Sequence, residues 1–127
     1  MMNRLDVEQL LQELYAARLA GDLERVCRVF AADARLEIAG ASYATPMAIK
    51  ASGQAEIRTW LALLVKTFQL REQEILSMII EDASAAVHWR CSIRSRITGA
   101  AVLTELVDVV RVRDGRIASY TEFFVPR

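Results

Sequence analysis

The chain has 127 residues, 54% of them apolar and 25% charged, the balance of one globular domain, expected here to span 1–127. Sixteen Lys and Arg against sixteen Asp and Glu leave no formal net charge, which argues against a long-range field drawing the protein to nucleic acid or an anionic membrane. No apolar run reaches the ~20 residues that cross a bilayer. The N-terminal segment, with Asp6, Glu8 and Glu13, lacks a signal-peptide pattern, and Cys27 and Cys91 stand apart in apolar contexts as reduced core thiols do, so a cytoplasmic protein is expected.

Leu5, Leu10, Leu11, Leu14 and Leu19 lie close to a helical period, Asp6 with Gln9 reads as a capping box, and Gly21 ends this first helix. Asp22 can cap a short second helix over Leu23 to Ala31. Ala34 to Ile38 alternates as a strand, and Ala39 to Ser52 has the composition of a loop, in which Tyr43 and Pro46 suggest a lid. Ser52 can cap a third helix from Gln54 to Phe68, with Ile57, Leu61, Leu64 and Phe68 in helical period and Trp60 beside them. From Leu70 onward only strands follow. Ile75 to Ile80 is apolar and β-branched, Glu81-Asp82 turns the chain, and Ala86 to Ile97 alternates Val87, Trp89, Cys91 and Ile93 against His88, Arg90, Ser92, Arg94 and Arg96. Thr98-Gly99 and Asp114-Gly115 mark two further turns, giving strands over Ala101 to Arg113 and Arg116 to Val125. The order predicts a segregated α+β fold, a curved antiparallel sheet wrapped by about three N-terminal helices around a pocket.

The last hairpin places Asp108 and Glu122 among valines and aromatics, where a carboxylate must find a partner, take up a proton or serve a ligand. A strict two-residue turn at Asp114-Gly115 pairs Asp108 with Thr121 and turns Glu122 to the opposite face. A three-residue turn with a bulge pairs Asp108 with Tyr120 and Leu106 with Glu122, so that all four share a face. In the bulged form the two acids are neighbours with Trp89 and Cys91 alongside, and at least one is expected to hold a proton near neutral pH. The alternative is structural: Asp108 bonded to Tyr120, Trp89 or an amide, and Glu122 paired with an arginine at the rim.

YAARLAGDLERVCRVFAADARLEIAG, SGQAEIRTWL, VHWRCSIRSRITG and ELVDVVRVRDGRIASYTEFF together resemble the nuclear-transport-factor-2-like superfamily, in particular its SnoaL-like and ketosteroid-isomerase-like branch. The resemblance implies a cone-shaped (cystatin-like) α+β fold, usually a homodimer, with a deep pocket and no single reaction. It also favours the bulged register, with Tyr120, Glu122 and Phe124 lining the pocket. In ketosteroid isomerases a protonated aspartic acid on this strand shares an oxyanion hole with a first-helix tyrosine while another aspartate shuttles the proton. Asp108 matches the first, the tyrosine position falls on Leu14 with Tyr15 one step round the helix, and the shuttling position falls on Ile38 next to Glu37. Limonene-epoxide-hydrolase-like members use an arginine and an aspartate on the strand after Asp82 and an aspartate on the last strand. These positions fall on Trp89, Cys91 and Glu122, so neither apparatus is complete.

His88, the single histidine, sits on the polar strand face with no metal-ligand spacing, and no metal or cofactor motif is present. The expected function is binding of a small hydrophobic organic molecule, with cofactor-free acid–base catalysis (isomerisation, cyclisation, dehydration or hydrolysis) as its enzymatic form. Asp108 and Glu122 would be the catalytic pair, and Trp89, Cys91, Leu106, Tyr120, Phe124, Tyr15 and Trp60 the ligand-binding set. The alternative is a non-catalytic binding or dimerisation module using the outer sheet face, with Val107 and Val109 at its centre.

Overall fold

The computed structural model describes residues 3–39 and 48–125. Helix α1 (Arg4–Ala20) opens one turn earlier than its leucine pattern suggests: the Asn3 side chain accepts from the Asp6 amide at 2.9 Å, and the Asp6 carboxylate accepts from the Asn3 amide at 3.2 Å. Asn3 and Asp6, rather than Asp6 and Gln9, are therefore the capping box. Gly21, at φ 68°, closes the helix, its amide donating to the Arg18 carbonyl and that of Asp22 to the Ala17 carbonyl. This paired closure needs a left-handed residue, which glycine supplies without a Cβ clash.

Helix α2 (Leu23–Arg28) is capped by Asp22 and stops three residues short of the expected Ala31. Tertiary pairing overrides helical periodicity there: the Ile117 amide donates to the Val29 carbonyl at 2.7 Å, and β1 (Phe30–Ala39) starts at once. β2 (Ala48–Ser52) is a strand inside the segment expected to be loop, pairing antiparallel with β1 from Arg35↔Ser52 to Ala39↔Ala48. Tyr43 and Pro46, the expected lid, lie outside the described residues. Helix α3 (Gly53–Thr67) follows Ser52, but the Ser52 side chain makes no cap; Glu56 instead accepts from the Ser52 amide. Gln54 donates to the carbonyls of Cys27 and Phe30, fixing α3 to the corner between α2 and β1.

β3 (Phe68–Glu81), β4 (Ser84–Ser95), β5 (Ala101–Arg113) and β6 (Arg116–Phe124) form antiparallel hairpins. The six-stranded sheet runs β2-β1-β6-β5-β4-β3. It is mixed rather than wholly antiparallel, because β1 lies parallel to β6. Bulges in β3 and β6 curve it and leave it unclosed. Leu11, Leu14 and Tyr15 of α1 and Ile57 of α3 pack with Val87, Trp89, Leu106, Val110 and Tyr120 of the sheet as one buried core. Full burial of such aliphatic side chains contributes ~1.5–3 kcal/mol each. The two central strands are β5 and β6, so their inward side chains lie at the deepest part of the concave face.

Candidate functional site

The hairpin holding the two acids adopts neither register expected from its turn. Asp114 and Gly115 both have positive φ, 51° and 78°, and Arg113 pairs with Arg116, which makes a two-residue turn of the kind that matches strand twist. A bulge then leaves Ala118 unpaired between Val112↔Ile117 and Arg111↔Ser119. That extra residue moves the following register by one and returns Tyr120 and Glu122 to the inner face. Asp108 stands directly across from Glu122, and Leu106 from Phe124, rather than Asp108 from Tyr120.

Both carboxyls are buried, Asp108 at 0% and Glu122 at 2% relative exposure. Asp108 Oδ2 receives the Tyr15 hydroxyl at 2.6 Å, the Trp89 indole N–H at 2.7 Å and a bond with the Tyr120 hydroxyl, while Oδ1 has no partner among the described residues. Glu122 is held by Arg18 of α1: Nη1 lies 2.5 Å from Oε2 and Nη2 3.3 Å from Oε1. Arg18 Nη1 also donates to the Tyr120 oxygen at 3.0 Å, and the guanidinium lies 4.9 Å from the Trp89 ring centroid, within cation–π range. Tyr15 and Trp89 stack at 5.1 Å with their rings tilted. Gln73, in the β3 bulge, donates to the Tyr15 carbonyl and pins this turn of α1 to the sheet.

These contacts separate the two acids. Burial, then the Glu122 charge, push the Asp108 carboxyl well above its ordinary range. Burial alone would also raise Glu122, but the Arg18 charge and hydrogen bonds outweigh it and hold Glu122 below the usual value. Arg18 in turn stays charged: burial opposes its charge, and Glu122 more than compensates. Three donors on Asp108 Oδ2 would by themselves suit an ionised carboxylate. The orphaned Oδ1 weighs the other way, since half a negative charge buried without a partner costs far more than a neutral carbonyl lone pair. One proton arrangement satisfies every named contact. Neutral Asp108 donates from Oδ2 to Tyr120, Tyr120 donates to Glu122 Oε2 at 3.1 Å, and Arg18 donates to both Tyr120 and Glu122. The cluster then carries one positive and one negative charge and is neutral overall.

In front of it lies a cavity of about 400 Å³, walled by Leu36 and Ile38 of β1, Leu61 and Leu64 of α3, Phe68 and Ile93 among others. Of the residues expected to meet a ligand, Tyr120, Glu122 and Phe124 line it. Asp108, Tyr15, Trp89, Cys91 and Leu106 do not: they are buried behind Tyr120 and Arg18, where Asp108 supports the floor and cannot reach into the cavity. Cys91 is an apolar-packed thiol pushed up to about 11 by burial, which leaves it unreactive at neutral pH. Trp60 lines a separate shallow depression on the outer side of α3 with Thr59, Ala62, Leu63 and Lys66. Sequence reasoning missed Arg18, which both lines the cavity and pairs with Glu122. The signal was present: Leu11, Leu14 and Arg18 share one helix stripe, and an arginine on an apolar stripe needs a buried partner. The arginine opposite Glu122 comes from α1, not from the rim.

Among the described residues, no group of His, Cys, Asp and Glu is arranged to hold a metal ion, and no helix is long and apolar enough to cross a membrane. The family model for a SnoaL-like domain matches residues 11–120. No protein of curated function matches the chain. Among solved structures it is similar to a Bacillus subtilis protein provisionally named an isomerase, at 22% identity and a TM-score of 0.83 over 98% of this chain and 91% of that one. An LEH-like epoxide hydrolase of M. tuberculosis matches at 17% identity and 0.77, covering 95% and 84%. A Xanthomonas campestris protein provisionally named a polyketide cyclase matches at 19% and 0.78, covering 98% and 93%. At such identities the likeness is one of fold, the curved open sheet with three helices.

Proposed function

From the premise that this chain belongs to the SnoaL-like domain family, we propose that its cavity binds a small, mainly apolar organic molecule through one polar oxygen, with Glu122 as the base for cofactor-free proton transfer. The observation that carries this reading is a buried carboxylate at the inner end of a mainly apolar cavity, paired with an arginine that still has donors to give. Of the five N–H groups of Arg18, three are engaged by Glu122 and Tyr120, leaving two without a partner among the described residues. Those two can receive a carbonyl or hydroxyl oxygen and stabilise negative charge that develops on it as Glu122 removes a proton. The isomerase, epoxide hydrolase and cyclase names of similar structures have in common a need for acid–base chemistry on an organic substrate, which supports the class without choosing a reaction.

The test is proton exchange at carbon. 2-Tetralone incubated with the protein in D2O should lose its α-proton NMR signals faster than in buffer. Glu122→Asp, which keeps the charge but retracts the carboxylate by one methylene, should slow this by at least roughly tenfold. Because Glu122 is held below its ordinary value, the rate should be level at neutral pH and fall only as acid protonates it. Binding without protein-dependent exchange would reduce the function to ligand capture.

A second reading rests on the outer sheet face, where Ile79, Val109 and Phe123 are exposed at 65%, 46% and 44%. The same face carries the pairs His88–Glu105 and Arg90–Glu74, both signs interspersed, so a second copy turned about a two-fold axis can meet unlike charges. We propose a homodimer through this face.

A further inference from the structure

We propose that the ligand carries a single anionic head, a carboxylate or a phosphate monoester, held at the cavity mouth by Arg96. The inference rests on the cavity being a ligand site and concerns which molecule it takes. Three charged side chains are among the described residues lining it: Arg18, Glu122 and Arg96. The first two neutralise each other at the floor. Arg96 is exposed, lies where the chain leaves β4 for the turn to β5, and has no carboxylate within salt-bridge distance among the described residues. The lining therefore has one uncompensated positive charge, and it is at the mouth.

A structural role for Arg96 exists and does not exhaust it. Its amide donates to the Thr67 carbonyl at 2.8 Å and its Nε to the Val65 carbonyl at 3.3 Å, which ties the turn to the C-terminal end of α3. Both contacts leave the two terminal guanidinium nitrogens without a partner among the described residues, the pair that grips carboxylate or phosphate oxygens side by side. The opposite orientation, with the anion at the floor, is disfavoured because it would seat a second negative charge beside buried Glu122. At ~30 Å³ for a water-sized group, the cavity holds a body of roughly a dozen non-hydrogen atoms. An apolar body of that size with an anionic head left in partial contact with water meets both constraints.

The experiment compares decanoate, decyl phosphate and decanol, which share one tail, by calorimetric titration of the wild-type protein, Arg96→Gln and Arg96→Lys. One or both anions should bind about five- to tenfold more tightly than decanol to the wild-type protein, the scale of one partly solvated charge-assisted contact. The favoured anion identifies the head group. In Arg96→Gln that ratio should fall to about one, and in Arg96→Lys, which keeps the charge but loses the Nε bond to Val65, most of it should return. If decanol binds and neither anion gains over it, or if the gain survives in Arg96→Gln, the proposal for Arg96 fails while the cavity remains a ligand site. If no probe binds, the reading of the cavity falls with it.

Discussion

Glu122 and Asp108 face each other across two central strands, yet their surroundings push their proton affinities in opposite directions. Arg18 makes the difference, and its removal should be costly in proportion. Arg18→Met leaves a buried carboxylate unpaired, and Glu122→Leu leaves a buried guanidinium unpaired; each should lower stability by about 3–5 kcal/mol. The double variant should recover most of that loss, because an apolar pair needs no compensation, and urea unfolding of all four proteins would show the coupling. Asp108 should behave differently. Folding raises its pKa, so the folded chain keeps a proton that the unfolded chain releases above about pH 4. Its contribution to stability is therefore fully present below that pH and declines as pH rises toward its folded value. Asp108→Asn should flatten that decline and cost no more than about 1–2 kcal/mol at neutral pH, since the amide oxygen can still receive Tyr15 and Trp89. A midpoint series across pH in both proteins tests the sign.

At the scale of elements, the ladder before Glu122 takes up one extra residue that no propensity marks. The bulge at Ala118 rotates the end of β6 so that Tyr120 and Glu122 face inward. Deleting Ala118 should remove the unpaired residue and let Ser119 follow Ile117 in an unbroken ladder, with Asp108 still opposite Glu122 and Glu122 still on Arg18. Urea unfolding should then stay cooperative and change by no more than about 1 kcal/mol. The helix periods, the Gly21 stop and the position of the Asp114-Gly115 turn were legible because each is a local rule: apolar spacing, a left-handed closure, a turn dipeptide between two strand patterns. A bulge that turns Tyr120 and Glu122 inward was expected at the turn itself; its place at Ala118 was not legible, because the inward pull on Tyr120 and Glu122 comes from Arg18, Asp108 and Phe30, far away in the chain. β2 was hidden for a similar reason: AIKAS is short and follows a loop-like composition, and it becomes a strand by pairing with the free edge of β1. The two acids were legible as a pair on one face, but their inequality was not, since it rests on Arg18, which meets Glu122 only through the packing of α1 on the sheet.

For the whole molecule, the sheet divides the chemistry: a neutral polar cluster and an apolar cavity on the inner face, exposed Ile79, Val109 and Phe123 among paired charges on the outer one. If two copies meet through the outer face, Val109→Asp should shift sedimentation equilibrium from dimer toward monomer without altering the cavity, and an unchanged mass would remove the dimer proposal. The inner face makes the stronger claim, that a closed interior holds one ionised and one protonated carboxyl at neutral pH. Carboxyl-carbon NMR titration of the intact protein, with Asp108 and Glu122 identified through Asp108→Asn and Glu122→Asp, measures it directly. Asp108 should remain protonated through neutral pH while Glu122 titrates below the ordinary carboxylate range. If Asp108 ionises in that ordinary range, or if Glu122 is the acid that keeps its proton, the proposed division of roles between the two residues is wrong.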